Sequence, residues 1–413
     1  MNVDRMRQID YWLGIPLCFI SSWFIKLLKW FTFFKPAPNT LNKPKALIIA
    51  LSEMGSIVLA EPALKQIAKN NELYFLTFKR SQGVLDLLNI VPNKNIFCID
   101  ADNPQKFIKD SFSSLTWARK QQLEWVVDLE LFSRYSALLS AFCGAKQQVG
   151  FYPYCNEGLY RGDMMSHKAA YNPHIHISKN FLAMAYAMEI KQPKASSLPL
   201  SKVSISDSCT QLQTRQISER QKQQMQQRIR DFYSEYNPTS HHIVLINSQG
   251  GDLLPMRNWG QESFLRLSKN ILRQFSQVLI VMTGSSSEHS AIEKLVQKID
   301  NSRCINFAGA IHLQQILSLY AISELMVSND SGPNHFAALV NLPTYTLFGP
   351  ETPKLYGSLG QTTNIYKKLA CSPCVSAANH RKTVCQDNQC MQQISVDEVF
   401  THVNIQLSAC GAK

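Results

Sequence analysis

No stretch of this chain offers the roughly 20 uninterrupted apolar residues that a membrane-spanning helix needs. The nearest candidate, Tyr11 to Ile25, is uncharged but short and carries Gly14 and Pro16. Lys26 and Lys29 interrupt it before apolar character resumes as far as Phe34. No small-residue cleavage site follows, which argues against a removable secretory signal. Neither domain's first strand leads into Gly-x-Gly-x-x-Gly, which disfavours a dinucleotide-dependent dehydrogenase. Nucleic-acid recognition motifs are also missing, and the basic residues are scattered rather than massed on one stripe. Acidic residues are the minority: 30 Asp and Glu against 42 Lys and Arg leave a formal charge of +12. That balance favours anionic partners such as nucleotides, phosphorylated glycolipids or an anionic membrane surface. Most of the 11 cysteines stand alone in apolar segments, as at Cys98, Cys143 and Cys304, which suits free thiols in a reducing cytosol.

What is present is a chain of 413 residues, 45% hydrophobic, long enough for two cores. Segment 1–40, with aromatics beside basic residues, reads as an interfacial helix on the inner leaflet of a membrane. From 45 to 200, apolar strands at Ala46–Leu51, Leu73–Thr77, Ile96–Ile99 and Trp125–Asp128 alternate with helices at Ile57–Lys69, Pro104–Gln121 and Arg134–Phe142. Tyr152 to Pro199 reads as loops with a helix near Asn180–Met188, and 201–240 as a linker with an exposed Gln-rich helix. A second series occupies 241–413, with strands at His242–Asn247, Val278–Thr283, Arg303–Phe307, Glu324–Ser328 and Thr344–Phe348. Such alternation predicts α/β domains with doubly wound parallel sheets, which bind ligands at strand C-terminal ends.

The stretch Ser328-Asn-Asp-Ser-Gly-Pro-Asn-His335 carries the sharpest signal. It reads as a strand end, a tight turn and a helix over Gly332–Val340. The free amides and positive dipole of such a helix start suit a phosphate. Asp330 can accept from hydroxyls, Ser331 can cap the helix or donate to a phosphate, and Gly332 lets a ligand approach the backbone. His335 lies one turn further on the same face.

This segment, with the strand that follows it and ends Phe348-Gly-Pro350, resembles glycosyltransferase family 9, the bacterial ADP-heptose:lipopolysaccharide heptosyltransferases. The resemblance runs from about residue 45 to about 400 and is strongest after 240. It implies a GT-B architecture of two Rossmann-like domains facing across a cleft. It also implies inverting, metal-independent transfer from a nucleotide-sugar donor to a lipid-linked oligosaccharide, on the cytoplasmic side of the inner membrane. The implied donor residues are Asp330, Ser331, Gly332 and His335, with Ser248, Arg257, Thr283 and Gly284 on neighbouring loops. Arg257, two residues before Trp259, stands where the family carries a Lys or Arg; a guanidinium can hold phosphate oxygens bidentately. In the loop after the first strand the family's aspartate base is replaced by Ser56, so catalysis falls to Glu53 or Glu61. Asp128, Glu130 and Arg134 match the family's acceptor-side segment.

No cofactor is expected. Asp100-x-Asp102 is too short a match for a metal motif, and His174-x-His176 lacks a third ligand. Cys371, Cys374, Cys385 and Cys390 have spacing that a structural zinc ion would tolerate, with free thiols as the alternative. Two rival readings stay open: a binding protein that kept the donor loops and lost its base, and a nucleotide-sugar epimerase.

Overall fold

The computed structural model describes residues 3–31, 43–51, 53–152, 160–190, 203–251, 254–376, 379 and 381–411. The rest of segment 1–40 and two parts of the expected Tyr152–Pro199 loop region, 153–159 and 191–199, lie outside them. The chain forms two compact units, Met1–Thr210 and Gln211–Lys413.

In the first unit, β1 (Lys45–Ile49), β2 (Glu72–Phe78), β3 (Ile96–Ile99), β4 (Trp125–Asp128), β5 (Gln147–Phe151) and β6 (His167–Ala169) form one sheet in the order β3-β2-β1-β4-β5-β6. Every pairing is parallel. The second unit repeats the plan with β7 (His242–Asn247), β8 (Val278–Met282), β9 (Cys304–Asn306), β10 (Leu325–Asn329), β11 (Thr344–Phe348) and β12 (Thr362–Tyr366), ordered β12-β11-β10-β7-β8-β9. Strands β1, β7, β8 and β10 are almost wholly buried, as expected where helices cover both faces of a parallel sheet. In each sheet the order reverses beside the first strand, between β1 and β4 and between β7 and β10. Ligands of doubly wound folds bind at the C-terminal side of such a reversal.

Several elements differ from the sequence expectation. Strand β5 (Gln-Gln-Val-Gly-Phe) has too few apolar residues to announce itself, and β6 and β12 are short or half-exposed edge strands. The expected helix Ile57–Lys69 is two helices, Met54–Leu59 and Glu61–Asn70, broken at Ala60 because Pro62 cannot donate back into the preceding turn. The expected interfacial helix is also a pair, Val3–Trp12 and Gly14–Phe31, with Pro16 tolerated in the first turn of the second. No helix among the described residues is long and apolar enough to cross a membrane.

Beneath the C-terminal ends of β4 and β5 lies the buried ion pair Asp128–Arg161. Burial pushes the Asp128 carboxyl above its ordinary range, opposed by the Arg161 charge and a hydrogen bond from Ser136. Arg161 also donates to the carbonyls of Glu130 (3.0 Å), Ser133 (3.0 Å) and Phe151 (3.2 Å), fixing the loop after β4. Replacing Arg161 with Met would strand the Asp128 charge, and urea unfolding should register a loss of about 3–5 kcal/mol.

Candidate functional site

In the second unit, the reversal between β7 and β10 gathers the loop after β7, the segment Arg257–Trp259 and the turn after β10. One buried amide ties them together. Asn329 Oδ1 accepts from the Trp259 backbone amide (3.0 Å), and Asn329 Nδ2 donates to the Ser248 carbonyl (3.0 Å). Its own carbonyl accepts from Asn334 Nδ2 (2.9 Å) and from the Ser331 hydroxyl (3.1 Å). Asn258 Oδ1 takes the Gly250 amide (2.6 Å), where a side chain on residue 250 would collide with it. Asn247 Nδ2 reaches the Thr283 carbonyl (3.2 Å), joining the β7 and β8 ends.

Within this frame Arg257 faces two buried carboxylates, Asp330 at 3.8 Å and Glu351 at 3.5 Å, while donating to the Gly250 carbonyl (3.2 Å). Glu351 also holds Arg381 (3.0 Å), whose guanidinium lies 4.9 Å over the Tyr356 ring. Burial, then the neighbouring Glu351 charge, raises the Asp330 carboxyl well above its ordinary value, against the pull of Arg257 and Arg381. Two acids and two guanidiniums are thus packed at the end of β10 and β11.

The turn after β10 departs in detail from its sequence reading. Its α-helix covers only Gly332–Ala337, tightening to a 3₁₀ turn over Ala338–Val340. Ser331 sits at the N-cap but makes no side-chain cap; its hydroxyl is turned to the Asn329 carbonyl. His335 is buried in the same helix. Gly332 has no left-handed φ, and a Cβ there would meet only the Phe336 ring, at 3.8 Å. Nothing in the described packing therefore requires glycine at 332. Gly284 is the opposite case: a Cβ would strike Ile292 at 2.6 Å, so the domain's own packing explains that glycine.

In the first unit, Glu53 and Ser56 lie in the loop and first turn after β1, both half-buried, with the Ser56 hydroxyl donating to Glu53 Oε2 (3.2 Å). Glu130 Oε1 accepts from the Leu51 amide (2.6 Å), so the β1 and β4 ends are joined as the β7 and β10 ends are. Three expected residues are occupied internally. Glu61 is fully buried and bonded to Lys65 (2.9 Å), where it favours the helix N-terminus rather than an open surface. Asp128 is held by Arg161 and Ser136. Arg134 is 1% exposed and paired with Asp10 (3.2 Å). Asp128 and Arg134, expected on the acceptor side, thus both join parts of their own domain.

Among the described residues no group of three or more His, Cys, Asp or Glu side chains is placed to hold a metal ion, Cys371, Cys374, Cys385 and Cys390 included. Asp100 accepts from the Asp102 amide in a local turn.

Sequence reasoning missed Asn329, Asn258, Glu351 and Arg381. Glu351 had a signal, since it directly follows the Phe348-Gly-Pro350 strand end. Arg381, from an irregular segment 30 residues later, had none.

Two Rossmann-like domains in tandem, the second carrying a polar cradle at its reversal point, define an α/β protein of GT-B type. Residues 119–384 match glycosyltransferase family 9 (heptosyltransferase), and the chain belongs to that family. It is 26% identical over 139 residues to lipopolysaccharide heptosyltransferase 2 of Salmonella typhimurium, covering 33% of this chain and 39% of that protein. The first curated relatives are thus matched over about two fifths of their length or less. The fold is similar to that of ADP-heptose LPS heptosyltransferase II of E. coli, with TM-score 0.66 and 18% identity over 89% of this chain and all of that one. It is also similar to the E. coli heptosyltransferase WaaC solved with ADP, with TM-score 0.58 and 13% identity over 87% and 99%.

Because folding raises Asp330, the native state takes up a proton there. Stability from that group is present below its ordinary value of 3.8 and is lost as pH rises beyond it. Thermal melts from about pH 4 to pH 8 should show this decline in wild type and a flatter profile in Asp330→Asn.

Proposed function

We propose that the protein transfers a sugar, an ADP-activated heptose, to a lipopolysaccharide core or similar lipid-linked acceptor, with inversion at the anomeric carbon. The observation that carries this reading is Gly332. It opens the β10 turn to close approach beside Arg257 and a helix start, although nothing in the described packing needs a glycine there. The WaaC neighbour solved with ADP supports the same assignment. In this reading Arg257 and the free turn amides meet the charge that develops on the leaving diphosphate, without a metal. Asp330, Ser331, His335, Ser248 and Thr283 shape the donor cradle.

Glu53 is the favoured base, and Ser56 its hydrogen-bonded partner. The carboxylate takes the proton of the acceptor hydroxyl, directly or through Ser56. The hydroxyl oxygen bonds to the anomeric carbon while the bond to the diphosphate breaks, releasing the nucleoside diphosphate. Glu130 is the acceptor-side residue that remains. The reading also places the protein on the cytoplasmic face of the inner membrane, beside its acceptor. Ser56 in place of the family's aspartate favours one rival, a member that binds donor without turnover.

ADP calorimetry should show binding weakened at least about tenfold by Gly332→Val and by Arg257→Ala, with melting temperatures near wild type for the glycine variant. Transfer from ADP-heptose in the presence of EDTA should fall about a hundredfold or more in Glu53→Gln and little in a folded Glu61→Gln. ADP binding without wild-type turnover would favour the rival reading, and full activity in Glu53→Gln would remove the base assignment.

A further inference from the structure

After the helix Val3–Trp12, which ends in exposed Tyr11 and Trp12, the helix Gly14–Phe31 is amphipathic in the reverse sense of a helix on a water-soluble protein. The second helix turns its small residues inward: Gly14, Cys18, Ser21 and Ser22 are buried, at spacings that share one helical face. Its large residues point out, with Phe19 and Trp23 each 65% exposed, Ile20 60% and Trp12 on the preceding helix 73%. Nine of the 17 exposed large hydrophobic side chains among the described residues fall between Ile9 and Phe24. A soluble helix buries such a stripe.

The inward face is built to be fixed. Asp10 Oδ1 accepts from the backbone amides of Arg134 (3.0 Å) and Tyr135 (2.9 Å), the free donors at the start of helix Arg134–Phe142. Its Oδ2 takes the Arg134 guanidinium (3.2 Å), which lies 5.5 Å over the Tyr11 ring. A Cβ on Gly14 would meet the Arg134 side chain at 2.7 Å, and one on Gly162 the Ser22 hydroxyl at 2.6 Å, so both glycines permit close seating. The Ser22 hydroxyl accepts from the Asp163 amide (2.7 Å), and Lys26 pairs with Asp163 (2.6 Å).

We propose that this outward face is a docking surface for an anionic lipid bilayer, held by the Asp10–Arg134 contact in fixed orientation to the first domain. The proposal deepens the membrane element of the proposed function and rests on that reading. Tyr11, Trp12 and Trp23 are the side chains that settle at a lipid–water boundary, and no described helix can cross. Charge selects the occupant. A chain of net charge +12 is attracted to an anionic surface, whereas a second copy would bring the same sign to the contact. The docked face also leads directly into the site. Arg134 follows the loop of Glu130, whose carboxylate holds the Leu51 amide beside Glu53, so adsorption sets how the β1 and β4 ends face the lipid plane.

Flotation of the full chain with phosphatidylglycerol/phosphatidylethanolamine vesicles tests this. Wild type should float, and Phe19→Asp/Trp23→Asp should bind at least about tenfold more weakly with an unchanged melting temperature. Trp12→Ser provides a milder second variant that should also weaken flotation. Unchanged flotation of a folded double variant overturns the proposal, as does a wild type that forms dimers through this face without binding vesicles. Equal binding to neutral phosphatidylcholine vesicles overturns the anionic assignment. ADP calorimetry on the same variants should match wild type, which separates failure of the docking surface from failure of the transferase reading.

Discussion

The second domain's cradle depends on the buried side chain of Asn329. One amide at the end of β10 satisfies a backbone donor from Trp259 and a backbone acceptor from Ser248. Buried backbone groups left without partners are costly, so these bonds hold two loops in register with the β10 turn. Arg257 inherits its place from this arrangement. It is two residues from an anchored tryptophan whose indole is itself bonded to the Ile394 carbonyl at 2.8 Å.

Electrostatics then sharpens what the frame provides. Asp330 and Glu351 are both buried, and their proximity alone would be unfavourable; Arg257 and Arg381 offset it. The two guanidiniums are thereby held in fixed orientation by buried acids, and in the proposed reading the anionic donor meets cations already in place. The first domain uses the same logic with another outcome. Asp128–Arg161 is sealed and braces the β4 loop, leaving Glu53 with Ser56 as the half-buried pair at the β1 end.

Much of this was legible in the sequence. Strand and helix alternation gave both domains, because buried parallel strands are nearly continuous apolar runs. The Ser328–His335 segment gave the turn, because Asp, Ser, Gly and Pro punctuate a strand-to-helix junction in a recognisable order. The strands missed were those with few apolar residues or at sheet edges. What the sequence did not foretell was the internal pairing of Glu61, Asp128 and Arg134. Each lies in the right loop or helix, yet each meets an internal partner that spacing along the chain does not reveal.

By itself, then, the sequence determined two α/β domains, the strand-to-helix turn at Ser328–His335, a net charge of +12 and an N-terminal apolar stretch interrupted by Lys26 and Lys29. Only the tertiary structure decided which charged groups face outward. Arg134 finds Asp10 from 124 positions away, and Arg381 and Glu351 converge on Asp330 from different loops. The physical reason is that helix and strand formation follow local periodicity. Burial and pairing depend instead on residues brought together by packing, and these decide whether a carboxylate is a base, a brace or half of a buried pair.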